Sequence, residues 1–404
     1  MTATVEHLTR ATERLRAHPH DQGAWLELAA IHHALGNTED AELAFATIGE
    51  GARIGGQVAL AVACGRHLAE LGSVRGPELI DQVVDTFAAG GGYTTGRTPT
   101  GAPTAPEEPP EVPAGTGTPV EQARALVAKL GAWLTQRHVD RIPRAPLLSS
   151  LSKPGARALV GVMTARAFPA GAVIIEIGHP ATSLYWLAHG TVKVARDKTE
   201  LGELHTGAFF GEIALVGGTT RTARVTASED VWVLEIPARA IETAAQRFPK
   251  LAEVLANHAR TRLLANLTRT SELFRALEED DRDALLARFS TQLVPAGTTF
   301  IHEGQVNDHL WVVVTGRCQV QSAGSPIAEL GPGAAVGEIS LVSGAAAVAS
   351  VSTVEPAVLL RLSKSDFSVV AKKHPKLMEE VEKLVVARET ANRALFQDAS
   401  DLIV

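Results

Sequence analysis

The chain has 404 residues, of which 45% are hydrophobic, and its formal net charge is −7 at pH 7. That length accommodates two to four domains of ordinary size. The mildly acidic balance excludes a general electrostatic attraction to nucleic acid or to anionic membranes. No apolar run approaches the ~20 residues that span a bilayer, and the first residues lack the apolar region of a signal peptide. We therefore expect a cytoplasmic protein.

Residues 3–89 predict a helical region, since they are rich in Ala, Leu and Glu and lack strand-like alternation. From Trp25 to Phe45, large and small residues alternate so that two antiparallel helices can approach, with Gly36 at the turn between them. This spacing resembles one tetratricopeptide repeat. The neighbouring copies match poorly, because Ala61 stands where a second tryptophan belongs, so an unspecialised helical hairpin stays open.

Two residue types in this sequence invite a metal or a disulfide interpretation. Four histidines lie between positions 18 and 33, but their spacing fits no known ligand pattern, which favours solvated or packed side chains. The two cysteines, Cys64 and Cys318, are far apart in the sequence and lie in different segments. We expect both to be free, buried thiols.

Residues 90–119 are rich in Gly, Pro and Thr and contain almost no apolar anchors. Such a composition does not bury enough surface to offset the entropy lost on ordering. The sequence therefore predicts a flexible linker here, which separates a helical domain at 1–89 from the rest of the chain.

The remainder of the chain is an internal duplication. At an offset of 126 residues, the stretch from Leu147 to Leu251 aligns with its copy without a gap, and eight of the twelve positions from 207 to 218 match. Each copy is about 125 residues long, the size of one hydrophobic core. We expect the two domains to occupy 120–258 and 259–404.

Both copies have the same predicted order of elements. A helix comes first (153–166 and 279–289), short strands with turn glycines follow, and helices close each copy (238–270 and 364–396). This order predicts an α+β protein: two tandem antiparallel β jelly-roll barrels with flanking helices, preceded by the all-α N-terminal domain.

The stretch GEIALVGGTTRTA, which begins at Gly211, predicts a site for an anion and a hydroxyl. Its glycines let the backbone approach a ligand closely, and the following residues can form a helical turn with free N–H groups. Arg221 offers a planar cation for two phosphate oxygens. Glu212 makes sense beside an anion if it accepts a hydrogen bond from a hydroxyl while Arg221 offsets its charge. A phosphate next to a sugar hydroxyl describes a nucleotide.

This motif and its setting resemble the phosphate-binding cassette of cyclic nucleotide-binding domains, and the likeness covers about two thirds of the chain. The family includes protein kinase A regulatory subunits, cyclic nucleotide-gated channels and the bacterial catabolite activator protein. The resemblance implies that Glu212 holds the ribose 2′-hydroxyl and that Arg221 holds the cyclic phosphate. The backbone N–H groups of Ile213, Ala214 and Ala223 would complete the cradle. A barrel in which Glu212 and Arg221 only pair with each other is the alternative.

The second copy, GEISLVSGAAAVA, keeps the turn and loses the cation. Ala347 and Val348 stand where the first copy has Arg221 and Thr222. Losing a hydrogen bond to a charged partner costs about 1.5–3 kcal/mol. We therefore expect the second domain to bind no cyclic nucleotide, or to be specific for a different ligand.

The resemblance implies that the ligand is cAMP or cGMP. In eukaryotic relatives a threonine after the arginine can bond guanine, so Thr222 is compatible with cGMP. Bacterial members with a hydroxyl residue there resemble cAMP receptors, and we favour cAMP.

Nothing in the sequence supports catalysis, and no helix-turn-helix follows the second barrel. We expect a regulatory protein whose N-terminal helices dock a protein partner, with no nucleic-acid contact and no membrane insertion. A nucleotide-independent scaffold is the alternative.

Overall fold

The computed structural model describes residues 4–91, 108–113, 115–135, 145–196, 199–217, 219–271 and 285–373, together with positions 274, 282, 378–379, 381–383, 385–386 and 390. Most of the predicted linker and most of the last predicted helix beyond residue 373 lie outside this description. The chain divides into two compact units. The first comprises Met1–Glu176, Thr182–Glu212 and Ala223–Asn257, and the second comprises Ile177–Ala181, Ile213–Thr222 and His258–Val404.

The N-terminal region is helical. Its helices are α1 (Val5–Ala17), α2 (Gln22–Ala34), α3 (Thr38–Ile54), α4 (Val58–Glu70) and α5 (Arg75–Phe87). Each packs against the next along the chain. The last three turns are closed by Gly36, Gly56 and Gly72, all with φ between 77° and 80°. Only glycine adopts this left-handed conformation without strain, so it ends each helix and reverses the chain.

The core of the helical region contains the residues whose spacing indicated a repeat. Trp25 and Phe45 are buried, and the Trp25 indole N–H donates to the Pro19 carbonyl at 3.0 Å. His32 is also buried, and burial lowers the pKa of its ring. The assignment of the stretch from Trp25 to Phe45 as a tetratricopeptide repeat stays a prediction.

Two barrels follow, each built from eight antiparallel strands. Helices α6 (Pro119–Leu134), α7 (Pro146–Ser149) and α8 (Lys153–Gly161) precede the first barrel. Its strands and helices are β1 (Thr164–Phe168), β2 (Val173–Ile175), β3 (Ser183–His189), β4 (Thr191–Arg196), β5 (Thr199–His205), β6 (Phe209–Phe210), α9 (Glu212–Gly217), β7 (Arg224–Ala227), β8 (Val231–Pro237), α10 (Ala238–Arg247) and α11 (Pro249–Thr270). The sheets have the orders β1-β8-β3-β6 and β2-β7-β4-β5, which is a jelly roll.

The second barrel repeats this plan. Its elements are β9 (Ser290–Val294), β10 (Thr299–Ile301), β11 (His309–Thr315), β12 (Cys318–Ser322), β13 (Ser325–Leu330), β14 (Ala335–Val336), α12 (Glu338–Ser343), β15 (Ser350–Thr353), β16 (Ala357–Ser363) and α13 (Lys364–Lys373). The sheet orders are β9-β16-β11-β14 and β10-β15-β12-β13, strand for strand those of the first barrel. The predicted α+β fold with two tandem barrels is confirmed.

One predicted helix boundary is wrong. The helix predicted over 153–166 ends at Gly161, and the strand β1 occupies its last positions because it pairs with β8. Long-range pairing here overrides the local pattern. The predicted run 238–270 is two helices that break at Phe248, since the proline at 249 disfavours helical backbone in the residue before it.

The helical region packs directly on the first barrel. Helix α4 lies against β1, β3 and β8, and its residues from Val58 to Gly65 are all buried. At the edge of this interface, the rings of Phe45 and His67 contact Trp232 of β8, with centroid distances of 5.7 Å and 5.5 Å. The sequence predicted a flexible linker between the helical domain and the barrels. It did not predict that the helical region packs on the first barrel within the first unit.

Both cysteines are buried and free, and burial raises the pKa of the Cys318 thiol to about 11. In the part of the chain that the structure describes, no helix combines the length and the apolar character that crossing a bilayer requires.

The interface with Trp232 gives a pH prediction. Burial, and secondly the neighbouring His33, lower the pKa of His67 from 6.5 to about 4. The folded chain therefore keeps this ring neutral where the unfolded chain protonates it, so the free energy of unfolding falls as pH decreases from 6.5 toward 4. We expect His67→Gln to reduce this loss by about 1–3 kcal/mol in urea unfolding followed across that range.

His302→Gln is the matched control, because His302 is exposed on the second barrel. If the free energy of unfolding of His67→Gln depended on pH in the same way as that of the unaltered chain, His67 would not be the source of the predicted loss of stability.

Candidate functional site

The first cassette begins where β6 ends. Gly211 has φ of 88°, and α9 starts with Glu212, of which only 1% is exposed. Ala214 is buried in the same helix, whereas Ile213 is half-buried. The chain then returns toward α9, because the Thr219 N–H donates to the Ala214 carbonyl at 3.0 Å.

Arg221 is fixed by its backbone. Its N–H donates to the carbonyl of His179 at 2.8 Å, and its carbonyl accepts from the N–H of Gly178 at 2.8 Å. These two hydrogen bonds set the point from which the guanidinium extends. Only 5% of Arg221 is exposed, and the next two residues, Thr222 and Ala223, are half-buried.

The same two bonds recur in the second barrel. The Ala347 N–H donates to the carbonyl of Gln305 at 2.8 Å, and the Gly304 N–H donates to the Ala347 carbonyl at 2.8 Å. Gly304 corresponds to Gly178 at the offset of 126. Ala347 therefore occupies the backbone position of Arg221. The two cassettes differ in this side chain while their local frames agree.

The first cassette thus buries a permanent cation and a carboxylate within ten residues of sequence. Burying a charge is costly unless the fold gives it a partner. Arginine presents its donors in a fork that matches two oxygens of a phosphate, and a carboxylate accepts from hydroxyls. An arginine can therefore bind a phosphate, and a glutamate can bind a hydroxyl group. Neither is a nucleophile arranged beside a base.

Thr219 is a buried polar residue of this cassette that was not among the site residues predicted from the sequence. Its side chain is 7% exposed, and the hydroxyl has no hydrogen-bond partner among the described residues. A buried, unsatisfied hydroxyl costs about 1–3 kcal/mol. The corresponding residue in the second copy is Ala345. The second copy therefore lacks both the threonine and the arginine, and this shared loss is the sign in the sequence that could have pointed to Thr219.

The second cassette borders a cavity of about 240 Å³. Its walls are mostly apolar, with Ala347 and Val348 on the side of the missing cation. Glu338 lines this cavity and is 2% exposed. The position before it requires glycine. A Cβ at Gly337 would lie 2.5 Å from the side-chain nitrogen Nδ2 of Asn307, and the residue has φ of 91°.

Among the described residues, no basic side chain lines the second cavity in place of the missing arginine. Arg317 of the second barrel pairs with Glu329 at 2.8 Å and with Glu355 at 3.4 Å. Arg361 stacks on the Trp311 ring at 5.9 Å. Among the described residues that line the cavity, none is basic.

The cyclic nucleotide-binding domain family matches this chain twice, at residues 165–248 and 291–374. Each match covers one of the barrels described above. The chain carries two cyclic nucleotide-binding domains in tandem. These domains are regulatory modules similar to those of cyclic nucleotide-dependent kinases.

Individual relatives share these domains. A cyclic nucleotide-gated potassium channel from Mesorhizobium japonicum is 34% identical over 29% of this chain and 33% of its own length. The regulatory subunit of a cAMP-dependent protein kinase from Candida albicans is 24% identical over 55% of this chain and 47% of its own. The chain thus spans less than half the length of these curated relatives. The regulatory domain of Toxoplasma gondii protein kinase A, solved with cAMP, is 18% identical, with coverage of 61% and 92% and a TM-score of 0.30.

Proposed function

We propose that the protein is a cyclic nucleotide sensor that binds one ligand, in its first barrel. The observation that carries this proposal is the buried Arg221, held by the backbone bonds that hold Ala347 in the other barrel. Arg221 pairs with the cyclic phosphate, and Glu212 accepts from the ribose 2′-hydroxyl. The N–H groups of Ile213, Ala214 and Ala223, together with the turn at Gly211, complete the cradle.

The ligand we propose is cAMP. Thr222, directly after the arginine, is half-buried and can bond the ligand through its hydroxyl. Bacterial members of the family with a hydroxyl residue at this position resemble cAMP receptors, whereas in eukaryotic members a threonine there can hydrogen-bond guanine. Titration with both nucleotides under one condition decides between them.

The output we propose is a change in a protein–protein contact rather than a reaction. The cassette segment Ile213–Thr222 belongs to the same compact unit as His258–Val404, which contains the second barrel. The change we propose on ligand binding is an interdomain reorientation. The ligand shifts the population of domain orientations only by its differential affinity for them.

The partner of this cytoplasmic, non-enzymatic sensor is a protein that docks on the N-terminal helices. Because α4 packs on the first barrel within one unit, the partner would bind a helical surface that is joined to the ligand-binding domain. A scaffold that uses both barrels without nucleotide is the second candidate, favoured by the loss of the cation from the second cassette. The first titration below separates the two.

Arg221→Ala tests the site. Removing a charge-assisted bond to phosphate costs about 1.5–3 kcal/mol, so we expect cAMP affinity to fall about 10- to 150-fold in calorimetry. Arg224→Ala is the matched control, since Arg224 is exposed and pairs with Glu176 at 2.9 Å. The control should retain its affinity. Equal losses in the two variants, or no saturable binding by the unaltered chain, would favour the scaffold.

Glu212→Ala tests the role of the carboxylate. Simple electrostatics predicts tighter binding when a negative charge near a phosphate is deleted. We expect weaker binding by about 1.5–3 kcal/mol, because the mutation removes a desolvated hydrogen bond to the ribose hydroxyl. A 2′-deoxy analogue should lose most of that free energy against the unaltered chain and little against the variant, which identifies a coupled pair.

Equal affinities of the unaltered chain for the ribose and 2′-deoxy forms would show that Glu212 only orients Arg221. That result would remove the nucleotide pose while leaving a phosphate site.

A further inference from the structure

The cavity of the second barrel is lined almost entirely by hydrocarbon side chains. Of the described residues that line it, only Glu338 and Ser340 have polar side chains. Glu338 has an interaction of its own within the chain, so we assign it no contact with a ligand. We propose that this cavity binds an uncharged, hydrocarbon-like molecule of the size of a substituted benzene ring.

Four consecutive polar residues of the first cassette have apolar counterparts in the second. In the first cassette they are Thr219, Thr220, Arg221 and Thr222. At the offset of 126 the second cassette has Ala345, Ala346, Ala347 and Val348. The last two of these line the cavity. Loss of the arginine alone would only remove a phosphate site, whereas the joint replacement leaves a wall that is suited to apolar contact.

The apolar walls of the pocket are retained in both copies. The strand residues that line the second cavity include Ile301, Val320, Leu330 and Val351. The first copy has the same residue types at the corresponding positions, which are Ile175, Val194, Leu204 and Val225. The second copy thus keeps these walls while the polar positions of its cassette are lost.

The second copy has also lost bulk around the cavity. Val336 lines it at the position where the first copy has the larger Phe210, and Ala347 is smaller than the arginine at its position. An empty cavity lowers stability in proportion to its volume, because the atoms around it lose contacts. A bound molecule restores those contacts.

The size of the cavity agrees with a ring that carries a small substituent. Its volume of about 240 Å³ exceeds the roughly 150 Å³ of an apolar protein cavity that binds benzene. It lies below the roughly 300–1,000 Å³ of pockets for drug-sized molecules. Val348 lines the cavity and is 53% exposed, so the cavity reaches solvent beside this residue.

The walls favour an uncharged ligand over a charged one. A charged molecule loses its hydration on entry, and hydrocarbon side chains return no hydrogen bonds for it. An uncharged apolar molecule gains free energy as its surface leaves water, in proportion to the area that is buried. The ligand class therefore differs from that of the first barrel, where Arg221 supplies a cation.

The test titrates the full-length chain with toluene, benzoate and benzylammonium by calorimetry. These three probes share one ring and differ in charge. We expect toluene to bind saturably below its solubility limit, and both ions to bind about 10-fold or more weakly.

Val336→Phe assigns the binding to this cavity. The substitution restores the residue type of the first barrel at this position, and a close-packed interior leaves no room for both rings. We expect the affinity for toluene to fall about 10-fold or more. Val354→Phe is the matched control, because Val354 is 47% exposed and lies outside the lining. The control should retain its affinity.

The comparison of the three probes uses the unaltered chain and does not depend on how any variant folds. Benzoate or benzylammonium binding as tightly as toluene would overturn the uncharged class. Failure of toluene to saturate would overturn the site, as would equal affinities of Val336→Phe and Val354→Phe for toluene. The cAMP titrations of the first barrel are separate from these results, so either proposal can fail while the other stands.

Discussion

The paired backbone hydrogen bonds that hold position 221 in one barrel and 347 in the other are the constraint on which this account depends. They fix the place of the side chain in the cassette regardless of its identity. A different side chain at this position leaves these two bonds intact, because they involve only backbone atoms. An arginine at this position supplies a cation, and an alanine removes it.

Burial gives this single difference its weight. On an exposed surface a lost arginine would be largely compensated by water and ions. In the second barrel the neighbouring Glu338 is buried among apolar residues, so the charge balance of the cavity is set by the residues that line it. The family match does not distinguish the two barrels. The side chains at positions 221 and 347 do distinguish them.

The helical region completes the first unit. The sheet strands β3 and β8 are apolar on both faces because the barrel interior covers one face and α4 lies on the other side. A run such as that from Val58 to Gly65, buried all round, belongs to a helix covered on more than one side. This packing joins the proposed partner surface to the domain that carries Glu212.

Much of the fold and the site could be predicted from the sequence. The ungapped offset of 126 identified the tandem barrels, and the contrast between Arg221 and Ala347 identified the unequal cassettes before any geometry was known. The packing of α4 on the barrel could not be predicted, because a sequence pattern shows that a face is buried without showing what covers it. The end of α8 was missed because strand pairing between distant residues decided it. Thr219 was missed because a single threonine in a polar stretch gives no sign that its hydroxyl will be buried.

The most direct measurement is the number of cyclic nucleotides that one unaltered chain binds. Isothermal calorimetry with cAMP, and in parallel with cGMP, gives this number together with the affinity. We predict one site per chain, because among the described residues of the two cassettes Arg221 is a buried cation and the second cassette has none. Two equivalent cyclic nucleotide sites per chain would contradict it.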